Sequence, residues 1–208
     1  MNLVGKQFPN IDVPSINNKG EEKSLNIRQL AIDNNTKILL FWYPKDFTFV
    51  CPTEIHAFQN KLEEFQKRNT LIIGASCDTK EVHFAWLNTP KNQGGIEGVT
   101  FDLLSDTNRN LSSTLDILDA TTQDDFSGLM DGENVTYRAT YLIDESGEVF
   151  HQGINHMPLG RNVDEYLRLI DAYTHVQENG EVCPANWQEG STAMTADRTG
   201  VANYLSNH

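Results

Sequence analysis

The sequence predicts an α/β fold built on a mixed central sheet. Two continuous apolar runs, KILLFWY at 37–43 and NTLIIGASC at 69–77, have the length and composition of strands that are buried on both faces. A segment with helical periodicity lies between them, and strand, helix and strand within about 40 residues form a βαβ unit with a parallel pair. A hairpin pattern at 137–154 adds antiparallel strands, which makes the sheet mixed.

The first half of the chain supplies a hairpin and the βαβ unit. Residues 10–27 contain β-prone pieces around an Asn-Asn-Lys-Gly turn signal, so they predict an N-terminal hairpin. After the strand at 37–43, a helix is expected from Pro52 onward. Its apolar residues lie on one face of a 3.6-residue period: Ile55, Phe58, Leu62 and Phe65. The second buried strand, 69–77, completes the unit.

The second half alternates between helices and strands. Its predicted elements are a helix at 80–88, a strand at 99–105, a short helix at 108–118, hairpin strands at 137–144 and 148–154, and a strongly amphipathic helix at 162–177. The hairpin strands are joined across Glu-Ser-Gly, a turn sequence. These elements predict a sheet with helices on its faces.

Residues 178–208 differ in composition from the rest of the chain. They are polar and rich in glycine, and they include Trp187, which we expect to be exposed. No linker, repeat or low-complexity tract interrupts the preceding part, and 208 residues can bury one full core. We therefore predict one folded domain at 1–177, followed by a C-terminal arm at 178–208.

Charge and hydropathy argue against several classes of partner. The chain has 16 basic and 29 acidic residues, a net charge of −13 with no basic cluster, so nucleic-acid and anionic-membrane partners are not expected. The longest strongly apolar run, ILLFWY at 38–43, is far shorter than the roughly 20 residues that span a bilayer. The N-terminal residues do not resemble a signal peptide, so we expect a cytoplasmic protein.

The three cysteines are spread along the chain. Cys51, Cys77 and Cys183 form no C-x-x-C pair and are too few for a disulfide framework. In a reducing compartment such thiols are free or transiently oxidised. Any disulfide in this protein is therefore expected to be catalytic rather than structural.

Cys51 follows a buried strand and stands at the predicted start of a helix, with Pro52 at the first helical position. Unpaired backbone N–H groups and the positive end of the helix dipole stabilise an anion there, which predicts a reactive thiolate. The alternative is a small buried hydrophobic residue, as most free cysteines are. Pro44 and Thr48 favour the reactive interpretation, because a proline wall and a hydroxyl donor suit a nucleophile that attacks a small polar molecule.

The same segment resembles a known family. Residues 44–51, Pro-Lys-Asp-Phe-Thr-Phe-Val-Cys, match the P-x-x-x-T-x-x-C motif of peroxiredoxins. FTFVCPTE resembles the typical two-cysteine subgroup that includes the C component of alkyl hydroperoxide reductase. The segments GASCDTKEVHFAWLNTPK, RATYLID, PLGRNVDEYLRLIDA and GEVCPANW also resemble that family, in its order, so the resemblance covers nearly the whole chain. It implies a thioredoxin-like fold and a thiol-dependent peroxidase that reduces hydrogen peroxide and small organic hydroperoxides.

The resemblance also implies roles for individual residues. Cys51 would be the peroxidatic cysteine, Pro44 would shield it, and Thr48 would orient the peroxide by hydrogen bonding. Arg138 matches the active-site arginine, which would stabilise the thiolate and the charge on the departing oxygen. Without the resemblance, an exposed strand arginine would be the simpler interpretation. Two further residues match positions that help to hold this arginine, although each would otherwise be an ordinary solvated charge: Glu54 and Arg161.

Cys183 matches the resolving cysteine, which in such proteins usually comes from the partner subunit of a homodimer. The implied cycle forms a sulfenic acid at Cys51 and then an intersubunit disulfide with Cys183. Disulfide formation would require the first helical turn to unwind. An external reductase, either thioredoxin-like or a flavoprotein, would then reduce the bond. No bound cofactor is expected, and the resemblance implies that dimers assemble into a decameric ring.

Two other functions remain open. A ring-forming assembly could act as a holding chaperone, as a second role. A cysteine hydrolase would need a histidine beside Cys51, and nothing in the sequence places one there. His56 and His83 lie among helix packing residues without zinc-site spacing, so both are interpreted as structural, and Cys77 at a strand end is interpreted in the same way.

Three segments depart from the family pattern. GGIEG at 94–98 and Tyr204-Leu205 in the C-terminal segment correspond, in altered form, to a Gly-Gly-Leu-Gly loop and a Tyr-Phe pair. In members that overoxidise easily these two elements slow the opening of the pocket, so intermediate sensitivity to peroxide is the hypothesis for this chain. The acidic segment 119–134 is longer than expected; it lacks EF-hand spacing and is predicted to be a solvated loop.

Overall fold

A computed structural model describes residues 1–119, 121–122, 130–131 and 134–207. The strands are β1 Asp12–Ile16, β2 Glu22–Asn26, β3 Lys37–Trp42, β4 Thr70–Ser76, β5 Leu103–Ser105, β6 Thr121–Thr122, β7 Met130–Asp131, β8 Arg138–Ile143 and β9 Val149–Asn155. The helices are α1 Ile27–Asn34, α2 Cys51–Asn60, α3 Leu62–Lys67, α4 Lys80–Leu87, α5 Asn110–Leu115, α6 Val163–Asn179 and α7 Arg198–Asn207. The predicted loop at 119–134 lies mostly outside the described residues, apart from the short antiparallel pair β6–β7.

Seven strands form one sheet in the order β2-β1-β5-β4-β3-β8-β9. The neighbours β3, β4 and β5 are parallel, and the other pairs in the sheet are antiparallel. The mixed sheet, the βαβ unit and both predicted hairpins are therefore confirmed. The strand predicted at 99–105 is shorter, because its ladders with β1 and β4 cover only Leu103–Ser105.

The helix predicted from Pro52 onward is two helices. α2 ends at Asn60 and α3 begins at Leu62, because the backbone of Lys61 leaves the helical region with φ −104° and ψ 8°. α2 also begins one residue earlier than expected, so Cys51 is its first residue and Pro52 its second. Proline suits that position, because an N–H in the first turn has no intrahelical acceptor.

Strand β3 is buried at all six positions and separates two packed layers. Leu40 and Trp42 belong to the core cluster on one side. On the other side Phe41 stacks on Phe58 of α2, with ring centroids 4.3 Å apart. Burial of an aromatic side chain contributes roughly 1.5–3 kcal/mol. This pair therefore fixes α2, and with it the helix start at Cys51, near the end of β3.

The chain divides into two compact units, Met1–Arg161 and Asn162–His208. α6 thus groups with the residues that follow it. The sequence places the boundary between 177 and 178 instead, and that division into a peroxidase domain and an arm stays a prediction. Along the described residues no helix is long and apolar enough to cross a membrane.

The second unit has more internal packing than its composition suggests. Trp187, expected to be exposed, is only 3% exposed. Its ring lies 5.0 Å from the ring of His175 on α6, and its Nε1 donates to the Ser191 carbonyl. Arg168 of α6 donates to the Trp187 carbonyl. The polar tail is therefore anchored on α6 by one aromatic residue.

Candidate active site

Two donors converge on the sulfur of Cys51. The side chain stands at the start of α2 and is 1% exposed. Its Sγ lies 2.9 Å from the hydroxyl oxygen of Thr48 and 3.4 Å from Nη1 of Arg138. The sulfur is therefore faced by a hydroxyl and by a guanidinium, two groups that can form hydrogen bonds to a small polar molecule.

The Thr48 hydroxyl has two acceptors for one proton. Besides the sulfur of Cys51, the carbonyl oxygen of Lys45 lies 2.8 Å from Thr48 Oγ1. The loop that carries Thr48 joins β3 to α2, so the threonine reaches the sulfur from three residues upstream. When the Thr48 hydroxyl donates to the Lys45 carbonyl, the lone pairs of its oxygen stay free to accept a hydrogen bond from another molecule.

Arg138 is held in one orientation by groups on both of its sides. It is the first residue of β8 and is 4% exposed. Its Nε donates to the carbonyl of Met157, and its Nη1 donates to Glu54 Oε2 at 2.7 Å. The simpler interpretation of an exposed strand arginine is therefore wrong. The same Nη1 faces both Glu54 and the Cys51 sulfur, which couples the carboxylate to the thiol.

Glu54 and Arg161 form the rest of this buried network. Glu54 is 3% exposed and accepts from the backbone N–H and Nε of Arg161, each at 2.9 Å. Arg161 also donates to the Ala139 carbonyl, and its guanidinium lies over the ring of Phe41 at 5.2 Å. Both side chains are thus buried charges rather than solvated ones.

The buried network of Glu54, Arg138 and Arg161 carries a net positive charge. One carboxylate, Glu54, faces two guanidiniums, Arg138 and Arg161, which leaves one uncompensated positive charge in a buried site. Buried charges are costly unless they are paired. The Cys51 sulfur, 3.4 Å from Nη1 of Arg138, lies beside this positive charge.

Pro44 and the two other cysteines each have surroundings of their own. Pro44 is buried just after β3, and its shielding role stays a prediction. Cys183 belongs to the second unit, where its thiol lies 3.6 Å from the Ala172 carbonyl and burial raises its pKa. Cys77 lies 3.8 Å from the Ser112 hydroxyl; burial raises the pKa of this thiol too.

Sequence reasoning missed one pair beneath the Thr48 loop. Asp46 Oδ2 lies 2.7 Å from Nδ1 of His83, and both side chains are fully buried. His83 Nε2 faces the Leu104 carbonyl, which can only accept, so this nitrogen carries a proton. Burial lowers the pKa of His83, but the hydrogen bond and charge of Asp46 outweigh this and raise it. The contact between Asp46 and His83 holds the Thr48 loop against α4.

A hydrolase and a metal centre both lack support at this site. The side chains on the Cys51 sulfur are a hydroxyl and a guanidinium, neither of which is a general base. His83 and His56 are engaged elsewhere, with Asp46 and the Gly95 carbonyl. Across the described ranges no group of three or more histidine, cysteine or acidic residues could hold a metal ion.

Two family models match the sequence. One describes the AhpC/TSA family and covers residues 4–152. The other describes the C-terminal domain of 1-Cys peroxiredoxin and covers residues 172–207. Among curated relatives, alkyl hydroperoxide reductase C of Helicobacter pylori strain 26695 is 43% identical, with 99% of this chain and 98% of the relative covered. Peroxiredoxin-1 of Gekko japonicus is 40% identical over 99% and 96% of the two chains.

Solved structures agree with these relatives. The reduced 2-Cys peroxiredoxin of Plasmodium vivax superposes with a TM-score of 0.88 at 39% identity, covering 99% of this chain and all of the other. AhpC of Enterococcus faecalis gives a TM-score of 0.74 at 28% identity, over 88% of this chain and all of the other. The predicted thioredoxin-like fold is thereby confirmed.

Proposed function

Since this chain belongs to the AhpC/TSA family of peroxiredoxins, it is a thiol-dependent peroxidase, and we propose that Cys51 is its peroxidatic cysteine. The observation that carries the proposal is the Cys51 sulfur, buried and faced by the Thr48 hydroxyl and the Arg138 guanidinium. The substrates are hydrogen peroxide and small organic hydroperoxides, because the site offers polar donors to a small O–O group and buries the sulfur from larger molecules.

The first step is a two-electron transfer at sulfur. The Cys51 thiolate attacks one peroxide oxygen, the O–O bond breaks, and water or an alcohol leaves after taking up a proton. The sulfur is oxidised to sulfenic acid and the peroxide is reduced. Negative charge moves from the sulfur to the departing oxygen during this step.

Thr48 and Arg138 lower the barrier of that step. The Thr48 hydroxyl, donating to the Lys45 carbonyl, accepts the peroxide O–H and orients the molecule for attack. The Arg138 guanidinium stabilises the charge as it moves onto the departing oxygen, because its position is fixed before the reaction begins. Glu54 and Arg161 act indirectly, as positioning residues that hold the guanidinium.

Cys183 completes the cycle as the resolving cysteine. Its thiolate attacks the sulfenic sulfur, a disulfide forms, and the hydroxyl leaves as water. We assign this thiol to the partner subunit of a homodimer. An external thiol-disulfide reductase, thioredoxin-like or a dedicated flavoprotein, then supplies two electrons, and the protein itself uses no bound cofactor.

The proposal extends to assembly and location. We propose that dimers form a decameric ring, and exposed apolar side chains near the Cys51 loop support this. Phe49 is 93% exposed, and Phe47 is 52% exposed while its ring lies 5.7 Å from that of Trp86 on α4, the helix that also exposes Val82. Such a cluster suits an interface. A reducing, cytoplasmic location fits the scattered cysteines and the proposed antioxidant role.

One gel experiment tests the cycle. Reduced protein is mixed with one equivalent of hydrogen peroxide and separated without reductant. The wild type and the matched control Cys77→Ser should give a band of twice the subunit mass, and Cys51→Ser and Cys183→Ser should not. A band retained in either of the last two variants would remove the role assigned to that cysteine.

A further inference from the structure

The proposed cycle requires α2 to open. A disulfide brings two sulfurs to about 2.05 Å, and a second cysteine cannot reach a sulfur that is enclosed by the first turn of a helix. Cys51 is that enclosed residue, since its side chain is 1% exposed. The contacts that hold α2 closed therefore set how fast the sulfenic acid can be resolved.

His56 provides one such contact, two residues beyond the active-site carboxylate Glu54. Its Nε2 lies 3.1 Å from the carbonyl oxygen of Gly95, a residue 39 positions away in the chain. A carbonyl oxygen can only accept, so Nε2 carries the ring proton and donates it. His56 lies in the second turn of α2, directly after the turn that begins at Cys51. Its bond to Gly95 therefore limits how far unwinding from Cys51 can extend.

The acceptor cannot move with the helix. The Gly95 backbone N–H donates to the Pro90 carbonyl, and the neighbouring Gly94 carbonyl accepts from Nε1 of Trp86 at 2.9 Å. Gly95 packs so closely on Thr89 that an added Cβ would lie 1.8 Å from the Thr89 carbonyl oxygen. The segment 94–98 is thus a fixed anchor for the histidine.

The remaining ring nitrogen argues against a role in packing alone. Nδ1 of His56 is buried and, within the part of the chain that the structure describes, has no hydrogen-bond partner. A buried polar atom without a partner destabilises the fold. A ring kept for packing would gain nothing from this atom, so the hydrogen bond from Nε2 to the Gly95 carbonyl is the polar contact that the imidazole contributes.

We propose that His56 is a positioning residue that sets how the Cys51 sulfenic acid divides between disulfide formation and overoxidation. The inference rests on the proposed function. In the closed state the sulfenate attacks a second peroxide, forms sulfinic acid and releases water or an alcohol. In the open state the Cys183 thiolate attacks instead, the S–S bond forms and water leaves. The His56 bond favours the closed state.

The effect follows from the strength of one neutral hydrogen bond. Loss of a typical bond of this kind shifts an equilibrium about fivefold. His56→Leu should therefore form the disulfide about fivefold faster and require about fivefold more peroxide for half-maximal sulfinic acid. His56→Gln, whose Nε2 can occupy the same donor position, should keep both values near those of the wild type. The rate of the first oxidation step should be the same in all three proteins.

The test measures both branches in the full-length protein. Rapid mixing with hydrogen peroxide resolves sulfenic acid formation from disulfide formation, and mass spectrometry across a peroxide series quantifies sulfinic acid at Cys51. A thermal melt within a few degrees of the wild type shows that His56→Leu has not acted through general destabilisation.

The outcomes separate this inference from the function on which it rests. A wild-type disulfide rate in His56→Leu overturns the inference, and so does a rate in His56→Gln as fast as that in His56→Leu. If the wild-type protein forms no disulfide between Cys51 and Cys183, the proposed function itself is wrong.

Discussion

Replacement of Glu54 by glutamine tests the buried charge network most severely. The change keeps the shape of the side chain and removes its charge, which leaves the guanidiniums of Arg138 and Arg161 facing one another with no carboxylate between them. Removal of one partner from a buried ion pair costs about 3–5 kcal/mol. For a protein of this size, 1 kcal/mol shifts Tm by about 2–4 °C, so we expect Tm to fall by roughly 6–20 °C.

A surface carboxylate with the same number of partners is the control. Glu64 also pairs with two cations, Lys67 and Arg68, but its side chain is 40% exposed. Glu64→Gln should therefore lower Tm far less than Glu54→Gln does, because solvent screens an exposed ion pair. Both variants are unfolded by heat and by urea at neutral pH, and the rate of Cys51 oxidation is measured beside them. Equal losses of stability in the two variants, or a Glu54→Gln enzyme with wild-type stability and rate, would refute the role given to burial.

Three further predictions concern the sulfur, the loop beneath it and the second thiol. Thr48→Val should slow oxidation of Cys51 by peroxide roughly 10–100-fold while Thr48→Ser retains most of the rate, because the peroxide O–H loses its acceptor and a buried group without its hydrogen-bond partner costs about 1–3 kcal/mol; peroxide consumption measures both, and equal rates in the two variants would contradict the hydroxyl's role. The raised pKa of His83 means that its pairing with Asp46 stabilises the fold fully below the ordinary histidine pKa and less as pH rises through the folded value. The stability difference between wild type and His83→Leu, measured by urea unfolding, should therefore shrink as pH rises from about 5.5, one unit below the ordinary histidine pKa, to about 9; a gap that grows would have the wrong sign. Because burial raises the pKa of Cys183, the rate of disulfide formation in rapid-mixing experiments should increase as pH rises above neutrality, and a rate that falls over that range would exclude attack by the Cys183 thiolate.

Local patterns predicted the elements that position the site. The apolar run of β3 and the helical repeat that contains Phe58 are signals within a few residues, and they correctly placed Cys51 between a buried strand and a helix. The motif that joins Thr48 to Cys51 is equally local, since three residues separate the two side chains. The break at Lys61 was missed, because the apolar period continues unchanged across it.

Long-range contacts could not be predicted from such patterns. Glu54 meets Arg138 and Arg161 across 84 and 107 residues, and no local feature distinguishes these three charges from solvated ones. Trp187 was misjudged for the same reason, because its neighbours in sequence are polar and its packing partner, His175, lies on α6. Tertiary packing decides the burial of such residues.

The most direct test of the central claim is the site of the first oxidation. In Cys183→Ser, which cannot resolve the sulfenic acid by the proposed route, one equivalent of hydrogen peroxide is followed by a reagent that traps sulfenic acids, and the labelled peptide is identified by mass spectrometry. The account predicts label at Cys51 in nearly every chain, and much slower labelling when Thr48→Val is added. Label at Cys77 in place of Cys51, or no label while peroxide is still consumed, would contradict it.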